Sequence, residues 1–193
     1  AQLQRLYQVS KGIHSGLDQQ KALELIVREA VGLVNATTGS VVLINPTDRL
    51  LEIQAAHGLP EGSSRLKLRM GEGITGWVAQ HGKPALVPDV REDARYVKVH
   101  NHTLSELAIP LEVNGSVCGV INVDSDQLNA FSETDQALLS ELASQAAIVI
   151  HNAFLYERSR IRANLFESLI TVGKAINSAV DLDDALAAIT REA

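Results

Sequence analysis

The sequence predicts an α+β fold, and three observations carry that prediction. Helical patterning fills both ends of the chain, while the residues between them are strand-rich. Residues 104–113 and 116–124 read as the strongest strands and are joined by Asn114-Gly115, the dipeptide favoured in a tight type I′ hairpin turn. Residues 132–178 contain no proline and read as helix almost throughout.

Taken in order, Leu3, Leu6, Tyr7, Val9 and Ile13 keep a helical spacing over residues 2–14. Leu23, Ile26, Val27, Ala30, Val31 and Val34 resume it after a break at Ser15-Gly16, so two helices are expected. Residues 37–45, rich in β-branched side chains, and residues 50–56 read as two strands about a short turn. Residues 65–69 (RLKLR) alternate apolar and basic, as a strand with one wet face does. A short helix is expected over residues 74–80, stopped by Gly82 and Pro84. Residues 85–88 suit a short edge strand, because the flanking prolines limit its pairing. Residues 89–103 are charged, aromatic and irregular and read as a loop with one helical turn. Ser132, with Asp135 three residues on, is a near relative of a capping box and opens the long helix.

Composition narrows the function classes. Apolar residues make up 46% and charged residues 21%, which argues against disorder. A net charge of -6 leaves no basic stripe for a phosphate backbone, so nucleic acid is not an expected partner. Cys118 is the only cysteine, which gives neither an intrachain disulfide framework nor a Cys-rich metal site and suits a cytoplasmic location. No run of eighteen apolar residues and no charged-then-apolar leader is present, so no membrane contact is expected within this chain.

The long helix carries two further signals. Leu139, Leu142, Ala146, Val149, Ala153 and Tyr156 fall on alternating spacings of three and four, the seam of a helical pair. Leu165, Leu169, Val172 and Ile176 form a second seam out of register with the first. At 1.5 Å per residue, residues 132–178 would extend roughly 70 Å, so part of the helix is expected to project and to need a partner. Residues 169–193 then repeat residues 6–30 with 12 identities in 25 positions at an offset of 163 residues. That period is a domain array rather than a short solenoid. The expected organisation is a domain over residues 1–156, a linker helix over 157–168, and the opening helices of a second copy over 169–193.

Several motifs occur in a fixed order: Gly71-Glu-Gly-Ile-Thr-Gly-Trp77-Val-Ala, Gly82-Lys-Pro, Val87-Pro-Asp89, Ser105-Glu-Leu-Ala-Ile-Pro-Leu111, Gly119-Val-Ile-Asn-Val-Asp124 and Phe131-Ser-Glu-Thr-Asp135. Together with the terminal helix, this series resembles a GAF domain over about residues 6–156. The resemblance implies a PAS-like GAF fold. Its antiparallel sheet would have about six strands, with the terminal helices on one face. A ligand pocket would lie on the other face, roofed by the irregular segment before Ser105. It also implies an input module, as in sensor kinases, cyclic-nucleotide and cyclic-di-GMP enzymes, and transcriptional activators.

The same residues bear on other chemistries. Gly71-x-Gly73-x-x-Gly76 matches the dinucleotide fingerprint, but no fully apolar parallel strand precedes it and the helix that follows is barely two turns. His100 and His102 lie where some haem-binding GAF domains place a proximal histidine. Cys118 sits mid-strand rather than in the roof, unlike the attachment cysteine of bilin-binding relatives. GAF reductases of free methionine sulfoxide use several cysteines, and one thiol does not supply both an attacking and a resolving group. The Asn-Lys … Phe-x-x-x-Asp-Glu signature of cyclic-nucleotide-binding relatives is incomplete, because Val123 follows Asn122 and Gln136 follows Asp135.

The resulting expectation is a non-enzymatic, small-molecule-sensing input domain of a sensor histidine kinase, transmitting through its long carboxy-terminal helix as a parallel homodimer in contact along Leu139 to Tyr156. Alternatives are a spacer with no ligand, or a haem- or cyclic-nucleotide-binding module. The pocket is expected to use Trp77, Tyr96, His100, His102, Glu106 and Asn122, since pockets are mostly apolar with a few polar groups. The sequence names neither the ligand nor a cofactor.

Overall fold

The structure, a computed structural model, describes residues 16–60, 62–63, 66–97 and 102–191. The helix expected over residues 2–14 lies outside them. The chain divides into two compact units, residues 1–153 and residues 154–193.

Helix α1 (Gly16–Leu33) buries Leu23, Ile26, Val27, Ala30 and Val31, the apolar stripe that a 3.6-residue period places on one side. It stops at Asn35, whose φ of 52° lies in the left-handed region that asparagine tolerates, and the Ala36 N–H closes onto the Val31 carbonyl at 3.0 Å. Strands β1 (Thr38–Ile44) and β2 (Leu51–His57) follow, then the short β3 (Lys67–Leu68), helix α2 (Gly73–His81) and β4 (Ala85–Val87). The hairpin β5 (Ser105–Val113) and β6 (Ser116–Ser125) precedes helix α3 (Glu133–Arg191). The six strands form one antiparallel sheet in the order β3-β2-β1-β6-β5-β4, so the α+β class and the strand count stand as predicted.

Side chains of one register row share a face of the sheet. One face carries Val41, Leu43, Leu107, Ile109, Ile121 and Val123, and α1 packs on it with Val31 over Gly39. The opposite face carries Ser40, Val42, Glu106, Ala108, Val120, Asn122 and Asp124. Here Val42, Val120 and Ala108 join Ile74, Val78 and Ala79 of α2 in a second core cluster.

The Gly71-x-Gly73-x-x-Gly76 spacing is a turn into α2. Gly73 takes a φ of +71°, and a Cβ on Gly76 would lie 2.6 Å from the Arg69 carbonyl. The preceding strand, β3, pairs antiparallel with β2, so the context of a dinucleotide fold is absent from this segment. Gly82 ends α2 with a φ of 63° and an N–H bond to the Val78 carbonyl, the stop that the sequence predicts.

The reciprocal cap of α3 also forms. Ser132 donates N–H and O–H to Asp135 Oδ2 at 2.9 and 2.6 Å, and Asp135 N–H reaches Ser132 Oγ at 3.3 Å. The helix continues past Ser178 to Arg191. One expectation needs correction. Leu139, Leu142, Ala146, Val149 and Ala153 are buried within their own domain, where Val149 and Ala153 cluster with Ala22 of α1. This seam covers the domain core and is not free for a second copy; of its members only Tyr156 is exposed. The helix is long and apolar enough, by length and composition, to pass for a membrane span, but much of that apolar side is this buried seam. In the second unit the described side chains from 158 to 172 are exposed, among them Leu165, Leu169 and Val172.

Candidate ligand-binding site

A cavity of about 60 Å³ lies on the sheet face opposite α1, room for a few water molecules. Its floor is Ser40, Val42, Glu106, Asn122 and Asp124; the first turn of α2 forms a wall; Tyr96, Val97 and Thr103 stand over it. A more open crevice of about 210 Å³ adjoins it, and Thr103 and Asp124 border both.

The polar groups of the floor come from adjacent strands. Glu106 of β5 is the register partner of Asp124 of β6, and both are buried, at 5% and 8% exposure. Asp124 Oδ2 accepts the Thr38 hydroxyl at 3.2 Å, and the Asn122 amide nitrogen lies 3.3 Å from both Asp124 oxygens. Burial pushes Asp124 up to about 6, against the two hydrogen bonds that favour its charge. Glu106 is raised well above the usual carboxylate range, first by burial and then by the charge of Asp124, while Arg95 and the Thr75 hydroxyl pull it down. Both carboxyls are thus harder to ionise than solvated ones. The Asn122 carbonyl oxygen, on a side chain 8% exposed, has no partner among the described residues.

The roof is braced from within. Val90 N–H binds the Leu104 carbonyl at 2.9 Å, and Leu104 N–H binds Ser125 at 2.8 Å. Arg95 grips Asp93 through Nε at 2.9 Å and Nη2 at 2.6 Å while its guanidinium sits 4.5 Å above the Trp77 ring. His81 stacks on the same ring with centroids 4.6 Å apart. Tyr96, over the cavity, hydrogen-bonds Thr103, and burial raises its phenol.

A family model of the GAF domain matches residues 16–151. The chain belongs to the GAF family. It is 31% identical over 131 residues to the Nif-specific regulatory protein of Azospirillum lipoferum, covering 64% of this chain and 21% of that protein. The chain thus spans about a fifth of that regulator's length. The GAF domain of an Acinetobacter phosphoenolpyruvate-protein phosphotransferase superposes with a TM-score of 0.68 at 24% identity, over 80% of this chain and 95% of that one. The free methionine-R-sulfoxide reductase of Neisseria meningitidis, solved with its substrate, gives 0.67 at 21% identity, over 78% and 88%. Both likenesses are of fold.

Within this GAF domain, Tyr96, Glu106 and Asn122 meet at one cavity. Trp77 does not line it: the ring packs against the α2 core cluster and carries Arg95 and His81. His102 is exposed and lines the adjoining crevice, and His100 lies outside the described residues. Among the described residues no group of three His, Cys, Asp or Glu is placed to hold a metal ion. Sequence reasoning missed Asp124, Ser40 and Thr75. Asp124 was readable, because Asn122 and Asp124 are two apart on a strand and so share a face.

Proposed function

We propose that this GAF domain is a small-molecule-sensing input module of a larger cytoplasmic signalling protein, with α3 as its output element. The observation that carries this reading is a cavity between sheet, helix start and roof, lined by two buried carboxyl-bearing residues and by Asn122, whose carbonyl has no partner among the described residues. A ligand there would shift the equilibrium between arrangements of the roof by its differential affinity for them. The exposed apolar residues of α3, including Leu165, Leu169 and Val172, are proposed to pair with those of a second copy in a parallel homodimer. The output is proposed to be a histidine kinase. A transcription regulator is the second reading, favoured by the likeness to the Nif-specific regulatory protein.

The module is proposed to be regulatory rather than catalytic. Cys118, the one cysteine, is not among the cavity's lining residues, and reduction of a sulfoxide by thiol exchange needs a resolving thiol as well. Native mass spectrometry of gently purified protein, followed by thermal shifts across a metabolite library, tests the sensing reading. A co-purifying compound or a specific stabiliser is expected; a protein that carries and binds nothing is a spacer.

A further inference from the structure

We propose that the cavity is a site for a primary ammonium group, carried by a small amine. This deepens the sensing reading and rests on it. The floor is rich in acceptors: the carboxyls of Glu106 and Asp124 face each other across paired strands, where opposed Cβ atoms lie roughly 4.5–5.5 Å apart. Neither carboxyl has a salt bridge to a cation among the described residues; the nearest roof cation, Arg95, is committed to Asp93 and to the Trp77 ring.

Asn122 supplies the independent observation. Its amide nitrogen is drawn to Asp124 at 3.3 Å, and the opposite orientation would set a carbonyl against a carboxylate. The Asn122 oxygen is thereby left with no donor among the described residues, on a residue that lines the cavity and is more than nine-tenths buried. A native group of this kind calls for an explanation, and a missing ligand donor is one. An ammonium group has three N–H donors and a positive charge. It would meet Glu106, Asp124 and Asn122 Oδ1 with one donor each, and it would neutralise the carboxyl pair as the two groups ionise. The adjoining crevice, with Asp126 and the shared Asp124 on its rim, adds negative charge along the approach. A phosphate or carboxylate would enter against that charge.

The test is calorimetric titration and thermal shift of the whole chain at pH 7.5. The probes are ethylamine and putrescine, each beside its N-acetyl derivative, together with acetate, inorganic phosphate and cyclic nucleotides. Binding is expected from the ammonium series, weakened about a hundredfold by N-acetylation, which removes the charge and two donors. Glu106→Gln and Asn122→Ala are each expected to weaken it roughly tenfold or more, with circular dichroism and the unliganded melting curve of each variant reporting that it folds. A ligand that binds equally well when N-acetylated, or an anion that binds where no amine does, overturns the ammonium assignment and leaves the sensing reading standing. Binding by no class of probe, and no compound retained in native mass spectrometry, overturns both.

Discussion

Glu106 and Asp124 stand opposite each other on adjacent antiparallel strands, buried on the cavity face, with the Thr38 hydroxyl and the Asn122 amide directed at Asp124 alone. Like charges directly opposed in a sheet are destabilising, and burial adds to the penalty of ionising either one.

This pair sets a pH dependence. A carboxyl whose folded value lies above its unfolded one holds more protons in the native state, so stability falls as pH rises. For Asp124 the loss runs from 3.8 to about 6, and for Glu106 it extends higher. At roughly 1.4 kcal/mol per pH unit, ionising Asp124 removes on the order of 3 kcal/mol. The lowered carboxyls, Glu52, Asp89 and Asp93, act in the opposite sense, losing stability only as pH falls through their ordinary range and below. Between pH 5 and 8 the unliganded protein should therefore melt at a lower temperature as pH rises, and Glu106→Gln should melt higher than the parent at pH 8. Equal melting temperatures for parent and variant across that range would remove the repulsion.

How much of this was legible follows from the hairpin. Asn114-Gly115 announced a β5–β6 turn, and alternation announced the strands. An unbroken ladder from Val113↔Ser116, however, would pair Glu106 with Val123 and place the carboxyls on different faces. A register shift between Leu111 and Glu112, where Cys118 is the extra residue, moves every later pair by one and brings Glu106 opposite Asp124. Nothing local in SVCGV declares that bulge. Likewise the seam of α3 carries the periodicity of a helical pair, but periodicity alone does not say whether the second surface belongs to a partner or to the helix's own sheet. Trp77 lies off this cavity for a related reason: composition predicts an aromatic near a pocket, whereas its position on α2 turns the ring toward Arg95 and His81.

The Arg95–Trp77 contact makes the roof observable. Trp77 is the one tryptophan, so its fluorescence reports the cation above its ring without interference. Arg95→Ala should shift the emission and destabilise the fold by about 0.5–1 kcal/mol, the range of an exposed cation–π contact. A ligand that moves the roof should shift emission in the parent and leave Arg95→Ala nearly unchanged; an equal shift in both would place the motion elsewhere.

Two glycines should respond to alanine with opposite signs. Gly119 lies beside the bulge, and a Cβ there would collide with the Val42 carbonyl, a backbone atom of the central strand that has no rotamer to yield. Gly119→Ala should cost about 1–3 kcal/mol as overpacking. Gly32, within α1, faces open space and has nothing within 4 Å of the added carbon. Gly32→Ala should stabilise by about 0.5–1 kcal/mol, the helix preference of alanine over glycine. Urea melts of the two variants beside the parent check both signs.

The last prediction concerns where two copies would meet. Because Leu139 to Ala153 of the first seam are spent on the domain core, a parallel dimer must use residues that the fold leaves exposed, and Leu165 and Leu169 lie one helical turn apart at 59% and 58% exposure. A glutamate in such a seam would face its own copy across the dimer axis and be disfavoured by both desolvation and like charge. Leu169→Glu should therefore convert a dimer to a monomer in light scattering while the melting temperature of the sheet domain is unchanged. Leu142→Glu should instead unfold the domain, since Leu142 is buried at 7% exposure. If Leu169→Glu leaves the parent's mass unaltered, the second seam is not the dimer contact.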